Sequence, residues 1–450
     1  MDILREKLLH RKQTRRPWRA NIARVRDIDL NADEIAAALF AHGPSRHVCI
    51  LDSCNVRHLS SRLMIAGIDP VETKELKGPD PDAAIAEFED FINKGLPVIF
   101  TLSYELGLAL HGIRSIHRTD EPFIFAAAFD ALAVHDYPTG ETVLRGESGA
   151  VDKLSSLLSL RRTALSHGAS ADDISSNFTP DEYAAAVLTI QERIRAGDTY
   201  QTNLTRKISA ELPESLAPHD IFLRMRKHHP APFAAYLERP DSTVVSASPE
   251  RFFRIGDGVI TTSPIKGTRP RGATPEEDAR LREELAGSAK DRAENTMIVD
   301  LLRNDLGRVC EFGSINVERL CELEEHPSLF HLVSTIKGSL RNQSTIASVI
   351  RALFPCGSIT GAPKISAMRI IDEVERSARG MSMGAIGILM PASFGMGEFI
   401  DTSVAIRTMT VRCRTAEFSV GGGVVIDSDP VAEYQETVTK SLALLSALGL

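Results

Sequence analysis

The 450-residue sequence predicts a soluble protein of mixed strand and helix, wound as one large unit or two. Three observations carry that reading. Short apolar runs separated by turn residues recur through the first third, as strands require. Capped stretches with apolar residues three and four apart recur through the rest, as helices require. A hydrophobic share of 43% beside 25% charged residues supplies a sizeable core, and no low-complexity linker divides the chain.

Composition also excludes classes of function. The net charge is −8 and no long basic stripe is interleaved with aromatics, so nucleic acid is not expected as a partner. No apolar run approaches about 18 residues and no signal-peptide core follows the start, which argues against a membrane or secreted protein. The six cysteines include no Cys-x-x-Cys and no ligand-like pairing with histidine, and read as buried thiols of the reducing cytoplasm. Residues 1–26 hold nine Lys or Arg and the single tryptophan, Trp18, and read as a solvated leading helix rather than a transit segment.

In order, residues 48–51 read as a buried strand, Asp52-Ser53-Cys54-Asn55 as a turn and residues 61–66 as a second strand. Ala84, Ile85, Phe88, Phe91 and Ile92 predict a helix over 81–95, and residues 97–103 and 123–134 are strand-like. Residues 1–146 thus form a mostly stranded N-terminal subdomain, 147–178 a Ser-, Ala- and Asp-rich loop or seam, and 179–450 the region that carries the chemistry. Thr179-Pro180-Asp181-Glu182 starts a helix, with Thr as N-cap, Pro at the first position and Glu closing the capping box. In the strand that follows, residues 199–204, Gln201 and Asn203 point opposite to Tyr200, Thr202 and Leu204, and the pattern predicts a polar outer face.

Residues 246–271 carry the densest signal. Short apolar runs flank Gly256-Asp257-Gly258, whose residues supply positive φ angles, and predict a hairpin. With pairing symmetric about Asp257, Glu250 stands opposite Pro264, and Lys266 lies one diagonal further on the same face. A carboxyl and an amine converge there, which taken alone reads as a solvated surface pair.

Residues 275–302 read as one long helix, on which Asp291 and Glu294 share a face with apolar Ile298 and Leu301. The small-residue loop from Phe354 to Lys364 lacks the Walker spacing, but free N–H groups at the helix start after it suit a carboxylate. Ala405-Ile406-Arg407-Thr408 reads as strand, followed by Gly421-Gly422-Gly423 and a helix capped by Asp429 that carries Glu433, Glu436 and Lys440 on one face. The oxygen-donor faces Asp291/Glu294 and Glu433/Glu436 together suit Mg²⁺, which takes few carboxylates plus substrate and water oxygens. An exposed Glu–Lys pair is the plainer alternative.

Eight stretches, in order, resemble the chorismate-utilising enzymes, which include anthranilate, aminodeoxychorismate, isochorismate and salicylate synthases. They are Gly197-Asp198-Thr199-Tyr200-Gln201-Thr202-Asn203-Leu204, Ser248-Pro249-Glu250-Arg251-Phe252, Pro264-Ile265-Lys266-Gly267-Thr268, the stretch from Asp291 to Asn295, that from His331 to Thr335, that from Gly357 to Lys364, Ala405-Ile406-Arg407-Thr408 and Glu433-Tyr434-Gln435-Glu436. The likeness runs from about Leu51 to the C-terminus and is densest after Thr179. It implies an α+β fold of two large antiparallel β-sheets packed together with helices outside, and an active site between them. It implies Mg²⁺ held by Glu294 and Glu433, with Asp291 and Glu436 nearby. Chorismate would be cradled by Thr268, His331, Thr360, Gly361, Arg407, Gly421, Gly422 and Lys440.

Two positions imply the branch. Relatives that add water carry a lysine at the place of Gln201, whereas ammonia needs no such base, so glutamine implies an ammonia user. At Lys266 anthranilate synthases carry alanine and aminodeoxychorismate synthases lysine, which implies covalent catalysis by the amine. Glu250 resembles the acid that protonates the departing hydroxyl, and Arg269 and Arg271 would lower the amine's pKa by like charge. Cys356 lies in no glycine-flanked nucleophile elbow, so a separate glutamine amidotransferase subunit is the implied ammonia source. Leu51-Asp52-Ser53 and His229-Pro230-Ala231-Pro232-Phe233 loosely resemble the segments of a tryptophan site, while Ser382 and Ile388 replace aromatic residues of many relatives. The rival implications are an anthranilate synthase large subunit and a regulatory relative without turnover.

Overall fold

The computed structural model describes residues 24–43, 46–56, 58, 61–159, 169–325 and 329–450. Residues Arg24–Ile28 form an edge strand, and the basic stretch before them, with Trp18, lies outside the described residues. Two antiparallel sheets, of twelve and ten strands, make the frame, as the resemblance implies. The larger one runs, at its centre, through Cys49–Asp52, Phe233–Glu238, Thr243–Ser248, Thr408–Arg412, Thr415–Val424 and Gln201–Glu211 to the short strand Gly361–Ala362. The other runs from Ile265–Pro270 through Leu329–Ser339, Val259–Ser263, Arg251–Gly256, Phe399–Val404 and Ala385–Met390 to Val98–Leu102, Ile124–Ala128 and Glu72–Leu76.

The two-residue strand period makes four layers. In Phe233–Glu238, Ala235 and Leu237 enter the core between the sheets, whereas Ala234 and Tyr236 pack under helices outside. Cys49 against Ile50 and Ile65 against Met64 divide the same way. In the second sheet Ile99, Phe125 and Ala127 meet the first, while Phe100, Ile124 and Ala126 meet helices. Strands buried on both faces read as continuous apolar runs rather than alternating ones.

That continuity hides a crossing. Residues 123–134 are not one strand: Ile124–Ala128 belongs to the ten-stranded sheet and Ala131–Asp136 to the twelve-stranded one. The stretch 147–178 contains helix Ser148–Leu158 and strand Asp172–Ser176, with residues 160–168 outside the described ones. Val151, Leu154 and Leu158, three and four apart, anchor the helix beneath its small polar residues. The long helix expected over 275–302 is two, Pro275–Gly287 and Ala289–Leu306. Ser288 breaks it by accepting the Asp291 N–H as the cap of the second, a stop that the helical spacing of the flanking residues conceals. Helices Pro180–Arg195 and Pro430–Ala447 start at the expected caps, Thr179 and Asp429. Among the described residues no helix is long and apolar enough to cross a membrane, and the six cysteines form no disulfide.

Candidate active site

Asp257 and Gly258, at φ 51° and 74°, make the two-residue turn of the central hairpin, pairing Gly256 with Val259. That register alone would offset Glu250 by one residue, but an irregularity between Arg251 and Arg254 sets Arg251 opposite Ser263 and restores the expected alignment. Past Pro264 the second arm continues as Ile265–Pro270 along the same neighbour, Leu329–Ser339. Glu250 and Lys266 therefore share one site.

Glu250 is 3% exposed. Burial pushes its carboxyl up to about 7, with the Ser358 side chain, Lys266 and the Ile265 N–H drawing it partly back. Burial also lowers the Lys266 amine, against the pull of Glu294 and Glu250 and with help from Lys440. Arg269 and Arg271 do not supply that help. Arg269 is 2.8 Å from Glu284 and 3.4 Å from Asp291, and Arg271 is 2.6 Å from Asp278, so carboxylates meet both charges locally.

The strand beginning at Gln201 is anchored by Gly361–Ala362. The Tyr200 N–H donates to the Ala362 carbonyl at 2.7 Å and the Asn203 N–H to that of Thr360 at 2.8 Å. Gly361, at φ 144°, tolerates no side chain, since a Cβ would fall 2.1 Å from the Gln201 carbonyl. The expected polar outer face is a correction. Gln201 and Asn203 are buried and Tyr200 is 71% exposed; the helices pack on the opposite face, at Leu204, while Gln201 is covered against the neighbouring strand at Gly423. Both amide atoms of Gln201 are buried without a partner among the described residues. The amide lies directly over Gly423, where a Cβ would stand 2.0 Å from its Nε2.

Burial raises the Glu294 and Glu433 carboxyls, and neighbouring carboxylates add to it, Asp291 and Glu436 for the former and Glu436 for the latter. Burial pushes Glu436 the same way, but Lys440, 2.6 Å distant, and Lys290 outweigh it and hold the carboxyl below its usual range. Gly422 leaves room between the carboxylates, for a Cβ would lie 3.1 Å from Glu433 Oε2 and 3.2 Å from Glu436 Oε1. Lys440 also donates to the Gly421 carbonyl at 2.8 Å. No group of three or more His, Cys, Asp or Glu stands ready to hold a metal among the described residues. The buried Glu433 and half-buried Glu294 carboxylates do suit Mg²⁺, which completes its shell with water and substrate oxygens.

Thr268 Oγ1 and His331 Nδ1 are 2.9 Å apart on adjacent strands. The Thr360 hydroxyl turns inward to the Cys356 and Gly357 carbonyls. Arg407 is not on a strand, as expected from its neighbours, but in the crossover from Phe399–Val404 of one sheet to Thr408–Arg412 of the other, at φ 48°. Burial lowers its guanidinium, and among the described residues no carboxylate opposes that effect. Lys266, Glu250, Glu294, Glu433, Glu436 and Lys440 thus interact as one cluster, with Gly422 beneath Glu433 and Glu436. Among the described residues no hydrogen bond or ion pair ties the Arg407 side chain to it. Sequence reasoning missed Lys290, one residue before Asp291, and Ser358, which lay in a loop read only for its N–H groups.

A separate cavity of about 100 Å³ opens between the sheets, lined by Leu51, Asp52, Ser53, Phe233, Ile388 and Asp401. The two segments that loosely resemble a tryptophan site meet there, with Asp52 paired to Ala234. Ser382 lies elsewhere and accepts from the Ser419 N–H.

A two-sheet fold enclosing an acid, an amine and paired carboxylates defines a class. The chain belongs to the chorismate binding enzyme family, whose pattern matches residues 42–446. It is 34% identical over 446 residues to aminodeoxychorismate synthase component 1 of Bacillus subtilis, covering 90% of this chain and 92% of that one. It is 44% identical over 266 residues to an anthranilate synthase component 1 of Haloarcula marismortui, covering 59% of this chain and only 52% of that relative's length. Among solved structures, anthranilate synthase component I of Streptococcus pneumoniae matches with a TM-score of 0.75 at 27% identity, over 86% of this chain and 93% of the other. Names from both ammonia-using branches thus occur among its relatives, and overall likeness does not choose between them.

Proposed function

We propose that the chain acts as aminodeoxychorismate synthase component 1 and converts chorismate and ammonia into 4-amino-4-deoxychorismate and water. The observation that carries this reading is the half-buried Lys266 amine, lowered by desolvation beside a buried Glu250 carboxyl raised to about 7. Such a pair supplies a neutral nucleophile and a protonated acid together. Lys266 attacks ring carbon C2 while Glu250 protonates the 4-hydroxyl, which departs as water as both ring double bonds shift. Ammonia then bonds to C4, both double bonds shift back, and the C2–N bond to Lys266 breaks. The new C4 ammonium returns a proton to Glu250. Gln201 offers a hydrogen-bonding amide and no base, which suits a nucleophile that needs none.

Glu294 and Glu433 would hold Mg²⁺, with Asp291 and Glu436 beside them, and the ion would neutralise the ring carboxylate of chorismate. Arg407, charged and opposed by no carboxylate among the described residues, is suited to the other carboxylate, while Thr268, His331, Thr360, Gly361, Gly421, Gly422 and Lys440 shape the ring site. Ammonia would come from a separate glutamine amidotransferase subunit, in the cytoplasm. Tryptophan is the ligand proposed for the cavity at Ser53 and Phe233.

The rival reading is anthranilate formation, with nitrogen at C2 and release of pyruvate; the Haloarcula and Streptococcus likenesses favour it. Product analysis with chorismate, Mg²⁺ and ammonium at alkaline pH decides. Aminodeoxychorismate from the wild type, lost in Lys266→Ala, supports the proposal. Anthranilate with pyruvate refutes it, and zero turnover with intact Mg²⁺ binding points to a regulatory relative.

A further inference from the structure

Lys364 and Asp305 form a buried ion pair outside the reacting cluster, 2.6 Å apart, with side chains 6% and 4% exposed. Lys364 Nζ also donates to the Leu353 carbonyl at 2.8 Å. Leu353 ends the helix Ile346–Leu353 and Lys364 begins the helix Lys364–Val374, so this bond closes the loop of residues 354–363 at its neck. Asp305 belongs to Ala289–Leu306, the helix that carries Asp291 and Glu294. A cation at the first position of one helix and an acid next to the end of another each oppose the helix dipole, so neither charge serves its own helix. Buried ion pairs are often no more stabilising than an apolar pair of similar volume, so what this pair adds is a fixed geometry.

The loop closed in this way holds the reacting amine. The Ser358 carbonyl accepts from Lys266 Nζ at 3.2 Å, which fixes one N–H and turns the lone pair of the neutral amine away from the loop. On one side the loop is fastened to the Gln201 strand: the Thr360 and Ala362 carbonyls accept from it, and Arg379 donates to the Ile359 carbonyl at 2.9 Å and to that of Asn203 at 2.6 Å. On the other it meets the carboxylate helix, where a Cβ at Gly357 would fall 2.7 Å from Leu301 Cδ2 and where Lys364 pairs with Asp305. We propose that Lys364 is a positioning residue: by clasping the neck of the 354–363 loop to the helix of Glu294, it holds the Lys266 amine in place against the carboxylates that receive the substrate. The inference rests on the nucleophile role proposed for Lys266 above. Loss of the clasp leaves the bonds to the Gln201 strand intact and frees the loop from the helix, so the amine shifts relative to Glu294 while the side that meets ammonia is undisturbed.

Lys364→Met alone strands Asp305 and should lower the midpoint of urea unfolding. Lys364→Met combined with Asp305→Leu replaces the pair by apolar side chains of similar volume and should restore the midpoint. In that double variant kcat for chorismate consumption should still fall about 10- to 100-fold, with KM for chorismate and for ammonium changed less than about twofold. Hydrogen exchange over residues 354–363 should quicken in both variants, while exchange over Gln201–Glu211 stays as in the wild type. Exchange needs no turnover, so the clasp is tested even if the product differs, and product identity tests the functional reading separately. Full kcat in the double variant overturns the inference, since the pair then serves stability alone. Exchange over 354–363 that matches the wild type overturns it as well, and so does equal quickening of loop and strand.

Discussion

Glu250→Gln should trade activity for stability, and the structure gives both magnitudes. The substitution keeps the shape of the side chain and removes its proton. Loss of a general acid costs on the order of 10²- to 10⁴-fold in kcat. Stability should move the other way with pH. The carboxyl titrates at 4.5 in a solvated chain and at about 7 in the fold. Between these values the folded state holds a proton that the unfolded state has released, so wild-type stability is full below 4.5 and falls as pH rises towards 7. The difference, at 1.36 kcal/mol per pH unit, is about 3 kcal/mol, and the pull of Lys266 is already included in it. The variant carries no such ionisation, so its stability relative to wild type should improve by about 3 kcal/mol between pH 4.5 and 8. Urea unfolding at both pH values and a chorismate-consumption assay read the two effects. A stability gap that does not change with pH, or a variant retaining more than about a tenth of wild-type kcat, would refute the burial argument.

Other substitutions test separate parts of the site. Gly423→Ala brings a methyl to within 2.0 Å of Gln201 Nε2 and must displace the amide by more than about 1 Å; kcat/KM for ammonia should fall on the order of 10²-fold with chorismate KM nearly unchanged. Arg407→Gly relieves a positive φ while deleting the guanidinium, so thermal stability should hold or rise as chorismate KM increases about 10- to 100-fold. Arg379→Met should cost about 3–5 kcal/mol in urea unfolding, because it strands buried Glu375, 2.7 Å away, and the Ile359 and Asn203 carbonyls that shape the Gln201 strand. Adding Glu375→Gln should recover part of that loss.

Features written in neighbouring residues were legible without coordinates. The capping box at Thr179 and the hairpin reversal at residues 256–258 satisfy backbone groups within a few positions, so residue order alone specifies them, though the turn is the two-residue Asp257-Gly258 one rather than one centred on Asp257. Glu250 and Lys266 could be aligned because a hairpin register propagates over a dozen residues, and the irregularity at Arg251 cancelled the one-residue offset of the two-residue turn. The carboxylate faces were legible because helix spacing puts Asp291 with Glu294 and Glu433 with Glu436.

What escaped depended on which surfaces meet. Residues 123–134 form one apolar run whether they make one strand or two, and only the stacking of the sheets sends the chain across. Arg269 and Arg271 look like neighbours of Lys266 in sequence, yet Glu284 and Asp278, presented by the adjacent helix, claim them first. By itself the sequence determined the chemistry available: an amine, an acid, paired carboxylates and the glycines that let them close in. Tertiary structure alone decided their states, because the burial that raises Glu250 and lowers Lys266 comes from chain far away, including Ser358, 92 positions beyond the lysine it holds. Desolvation depends on everything packed around a group, and no local pattern of residues encodes it.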